Sequence, residues 1–139
     1  MKRVLISFIL LVIATPVIAY EGSPQEQVSL FFKDVKAKKI SMGIESLYSG
    51  NPTLLEQKKS QLTVLKQHVS TFEILFGEYL DNEIIHTEEF SPSLIRIVHA
   101  AKYSNHPLIF EFYFYKPKDK WIVSQFVFAD QFETIGRRK

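Results

Sequence analysis

At Gly77 the spacing of apolar residues changes from one repeat to another: every three or four residues before it, every second residue after it. A period near 3.6 belongs to a helix with one buried stripe, and a period of 2 to a strand with one buried face. Helices first and strands afterwards predict an α+β fold, with the helices packed on one face of an antiparallel sheet.

The helical half predicts three helices. Ser23-Pro24-Gln25-Glu26 is a capping box with proline at the first helical position, and Val28, Phe31, Phe32 and Val35 make the buried stripe that follows. A short helix from Ser41 to Ser49 turns Ile44, Leu47 and Tyr48 inward and ends at Gly50. Asn51-Pro52 then opens a long third helix, closed by Gly77, with Leu55, Leu62, Leu65, Val69, Phe72 and Phe76 on its buried face.

The second half predicts four strands, Tyr79 to Phe90, Leu94 to Tyr103, Leu108 to Tyr115 and Trp121 to Phe128, joined by short turns as a curved antiparallel meander. Pairing each strand with the next across its turn sets Glu89 against Arg96, Glu83 against Lys102, His86 against His99, His99 against Phe112, and Phe112 against Ser124. One face then carries Ile95, Ile97, Leu108, Phe110, Phe112, Phe114, Ile122, Phe126 and Phe128 and takes the helices. The other carries Arg96, Glu111, Tyr113, Tyr115, Trp121 and Val123, a band of aromatic and β-branched residues edged by charge that reads as a protein interface. An amphipathic open face that merely favours strand formation is the alternative.

On the helix-facing side the expected register lines up His86, His99 and Ser124, with Glu88 and Tyr103 beside them and Tyr48 arriving from the second helix. A buried carboxyl or imidazole suits proton abstraction, so Glu88, His86 and His99 are the catalytic candidates, and Tyr48, His99, Tyr103 and Ser124 the candidate walls of a ligand pocket. The plainer reading leaves Glu88 and His86 reaching water on an edge strand, with His99 and Ser124 satisfied by neighbours or one buried water. The two opposed histidines have no third ligand at evident spacing, so no metal is expected. With no cysteine, no Gly-x-Ser-x-Gly elbow and five scattered glycines, nucleophilic catalysis and nucleotide cofactors find no support.

The N-terminus reads as an export signal. Lys2 and Arg3 precede an apolar run from Val4 to Ala14, Thr15-Pro16 breaks it, and Val17-Ile18-Ala19 presents a cleavage site. Residues 1–19 are therefore expected to be removed, leaving one domain, residues 20–139, in the periplasm or secreted. An uncleaved anchor spanning Val4 to Tyr20 is the rival reading, but that stretch contains proline and falls short of the roughly 20 residues a bilayer crossing needs. Without Lys2 and Arg3 the 17 basic residues fall to 15, matching 15 acidic ones. Three of those 15 are Arg137, Arg138 and Lys139, so the body is slightly acidic and nucleic acid is not an expected partner. Twelve Phe, six Tyr and one Trp point to an aromatic-rich sheet or pocket.

Helix, short helix, long helix, then a meander ending in the Tyr115-Lys116-Pro117-Lys118-Asp119-Lys120-Trp121 hairpin resembles the NTF2-like, cystatin-like superfamily over about Ser23 to Phe132, particularly its small exported bacterial members. The chain departs from the larger members in leading straight from Gly50-Asn51-Pro52 into the long helix. The resemblance implies dimerisation through the open sheet face. The expectation is an exported, non-enzymatic domain that binds a protein or a small apolar ligand as a homodimer, without a stable membrane anchor. The alternative is a small isomerase or hydrolase using the carboxylate and histidine row.

Overall fold

The computed structural model describes residues 16–133, so most of the expected leader and the basic C-terminal triplet lie outside the described residues. The first helix, α1 (Pro24–Lys36), begins where its cap predicts: the Glu26 N–H donates to Ser23 Oγ at 3.2 Å and the Ser23 N–H to Glu26 Oε2 at 2.7 Å. Its stripe of Val28, Phe31, Phe32 and Val35 is buried. The stripe also includes Gln27, 1% exposed, whose amide donates to the carbonyls of Gly22 and Trp121 at 3.1 and 2.9 Å. The second helix, α2 (Ile40–Ser49), buries Ile44, Leu47 and Tyr48 as expected. Tyr20 closes the gap between these helices: its hydroxyl donates to Asp34 and its N–H to the Ser46 carbonyl.

The expected third helix is three segments, α3 (Pro52–Gln57), α4 (Lys59–Val69) and α5 (Phe72–Phe76), which makes five helical segments among the described residues rather than three. The second break has a local cause. The Thr71 N–H bonds to the His68 carbonyl three residues back, tightening the turn, while the Ser70 and Thr71 hydroxyls donate to the Gln67 and His68 carbonyls at 2.6 and 2.7 Å. The bend keeps Leu62, Val69 and Phe72 all in the core, while Leu55, Leu65 and Phe76 are only partly buried against it. Gly77 then reverses the chain at φ +88°, where a β-carbon would also collide with the Ser104 hydroxyl.

The sheet is an open antiparallel meander of β1 (Tyr79–Ser91), β2 (Leu94–Tyr103), β3 (Pro107–Tyr115) and β4 (Ile122–Ala129), in that spatial order. Between β2 and β3 the observed pairing, Ile97 with Phe112 and His99 with Phe110, is displaced by two residues from expectation. An even displacement leaves every side chain on its expected face. The other two pairs contain irregularities. In β1 the register shifts between Tyr79 and Asp81, Ile84 and His86, and Glu89 and Ser91. His99 therefore opposes Ile84, His86 opposes Val98, and Glu88 rather than Glu89 opposes Arg96. Between β3 and β4 a shift at Tyr113/Phe114 brings Val123 opposite Phe114 and Ile122 opposite Tyr115. This corrects the sequence reading: Val123, not Ile122, enters the helix-side core, because one extra residue in a strand exchanges the faces beyond it.

The helices and one sheet face enclose a core dominated by phenylalanine. Phe31 meets Phe32, Phe110, Phe112 and Phe126 at ring-centre distances of 5.2 to 6.0 Å. Most of these contacts are edge-to-face, the arrangement ring quadrupoles favour. A second buried cluster, Val98, Ala100 and Ile109, lies on the opposite face and consists only of sheet residues.

Candidate functional site

The structure disperses the expected row. His86 and Glu88 stand with Val98 and Arg96 on the outer face, across the sheet from His99. Ser124 occupies the irregular position of β4, between the paired residues Val123 and Gln125, and is exposed. Tyr48 is 2% exposed and its hydroxyl accepts the Phe126 N–H at 2.9 Å, a locked position that burial reinforces by pushing its pKa up. Tyr103 is also in the core, edge-on to Phe72, and burial raises its pKa. The expected pocket of Tyr48, His99, Tyr103 and Ser124 does not assemble, and neither does the catalytic set of Glu88, His86 and His99.

His99 keeps its helix-facing place and gains neighbours that the sequence reading missed. Its ring lies 5.0 Å from that of Phe32. Nδ1 is 3.1 Å from Asn82 Oδ1, and Asn82 Nδ2 donates to the Tyr79 hydroxyl at 2.9 Å. With the Asn82 oxygen as acceptor, Nδ1 carries the proton in the neutral ring and Nε2 is left as a base. Burial lowers the His99 pKa from its ordinary value, favouring that neutral form. Asn82 was legible only as an unusual asparagine within a strand; its alignment with His99 depends on the irregular pairing of β1.

The outer face has a different centre. Arg96 is 4% exposed and Glu111 2% exposed. Arg96 Nε donates to Glu111 Oε2 at 3.0 Å and Nη1 to Glu88 Oε2 at 3.2 Å, while the Tyr113 hydroxyl donates to Glu111 Oε2 at 2.8 Å. Burial opposes the Arg96 charge, but the bonds to its carboxylate partners outweigh it and the pKa moves upward. Nη2 is buried and has no hydrogen-bond partner among the described residues. Of the six residues expected on this face, Arg96, Glu111, Tyr113 and Tyr115 are there. Val123 is not, being fully buried in the helix-side core, and Trp121 packs against that core.

Among the described residues no three His, Asp or Glu side chains converge as a metal site, and no helix is long and apolar enough to cross a membrane. No family model, curated protein or solved structure matches the chain.

Proposed function

We propose that the mature chain is an exported, non-enzymatic binding domain of NTF2-like architecture whose outer sheet face pairs with a second copy of itself. The observation that carries this reading is the outer-face pair of Leu94 and Tyr115, directly opposed in β2 and β3 and 44% and 42% exposed. Apolar and aromatic side chains paired on an open sheet face are costly to leave in water, and a partner surface removes the cost. Beneath that pair lies a layer already buried within the chain, Val98, Ala100 and Ile109 together with Arg96 held by Glu88 and Glu111. A two-fold interface requires both members of each contact on the same patch, and an exposed aromatic residue such as Tyr115 is a frequent interface anchor.

Sedimentation of the chain beginning at Tyr20, at micromolar concentration, tests this. A dimer mass that becomes monomeric in Tyr113→Glu is expected; a wild-type monomer, or a dimer indifferent to that substitution, overturns it. The expected catalytic row no longer favours an enzyme, because Glu88 and His86 are separated from His99 by the sheet.

A further inference from the structure

Beside His99 the end of α1 and the start of β1 border an open cleft of about 290 Å³, lined by Ser29, Phe32, Lys33, Lys36, Tyr79, Asp81, Asn82 and His99. At about 30 Å³ per water, this is room for roughly ten waters or a small organic acid. Its polar wall is ordered: Tyr79, Asn82 and His99 form one chain of hydrogen bonds, which fixes the Asn82 amide, directs His99 Nδ1 to it and leaves Nε2 without a partner among the described residues. The Tyr79 hydroxyl accepts from Asn82 and keeps its own proton to donate. Opposite, Lys33 and Lys36 have no ion pair or hydrogen bond among the described residues.

We propose that this cleft binds a small monocarboxylate: Lys33 and Lys36 hold its charge, Phe32 packs on its carbon body, and His99 Nε2 shares a proton with one carboxyl oxygen. The charges facing His99 fit a single negative charge. α1 contributes the two lysines, β1 contributes Asp81 and the neutral Tyr79, and β3 presents only Phe110 and Phe112, so the net is one positive charge. A carboxylate beside Nε2 favours the imidazolium that the empty cleft disfavours, so binding draws a proton from solvent onto Nε2. Binding therefore weakens as pH rises, about tenfold for each unit by which the ligand raises the imidazole pKa.

The test uses the chain beginning at Tyr20, with benzoate as probe and benzamide as its uncharged counterpart. The ring signals of the four histidines are followed by NMR against pH, with His68, His86 and His106 as internal controls. Benzoate is expected to raise the His99 titration midpoint by about one unit and leave the other three in place. Benzamide is expected to leave all four unmoved. The exposed pair Lys33→Gln and Lys36→Gln together should weaken benzoate binding about tenfold or more, while His99→Gln should retain binding that no longer varies between pH 5.5 and 8. A His99 signal unmoved by benzoate, equal shifts with benzamide, or undiminished affinity in the double lysine variant overturns the proposal.

Discussion

Ile109 and Phe110 are neighbours in β3, both completely buried, and they point in opposite directions. Phe110 enters a layer of rings beneath five helical segments, while Ile109 joins a cluster of three sheet residues beside a buried ion pair. The first environment is apolar and multiply packed, the kind that supplies folding energy. The second places Arg96 and Glu111 out of water, where attraction is set against desolvation and the net gain is small. The helix-side face therefore supplies most of the stability of the domain, and the outer face little.

Urea unfolding sharpens this contrast. Phe110→Ala should cost about 3–5 kcal/mol, the loss of a large buried ring together with the cavity left behind. Glu111→Ala should cost about 3 kcal/mol by leaving the buried Arg96 charge with only the partly exposed Glu88 as partner, yet the pair Arg96→Met with Glu111→Leu should be near neutral or stabilising. If the double replacement is as damaging as the single one, the outer face contributes stability after all and the division fails. Ile109→Ala should cost about 2 kcal/mol, less than Phe110→Ala, because fewer carbon atoms are removed.

The smallest effect is a pH slope. The His99 pKa is lowered in the fold, so the unfolded chain binds the proton more readily. Stability contributed by the neutral ring is present above the ordinary imidazole value of 6.5 and is lost as pH falls below it towards the depressed folded value. The difference in thermal midpoint between pH 7.5 and pH 5 should be smaller in His99→Phe than in the parent; an equal difference would detach the slope from this residue.

The helices-then-meander order was legible because it depends on period alone, and the Ser23 cap because its chemistry is local. The irregular pairings were not. No glycine or proline marks Ile84, His86, Tyr113 or Ser124, and a one-residue slip leaves the alternation of residue types almost unchanged while it exchanges faces. Each misplaced site residue traces to such a point: His86 and Glu88 to the shift in β1, Ser124, Val123 and Trp121 to the one in β4. The breaks of the third helix were hidden for a related reason, since its apolar spacing fits a straight cylinder equally well. Asn82 and His99, 17 residues apart, meet only because β1 carries those shifts.

The Gln27 amide spans 94 residues to reach the Trp121 carbonyl, fastening the first helix to the last hairpin. Contacts that distant form only after the intervening chain has been gathered, whereas the meander zips through neighbours. Gln27 is thus expected to close late rather than within a nucleus. Its loss should quicken unfolding and leave the folding rate nearly untouched, which makes this one side chain a determinant of how long the native state lasts once made.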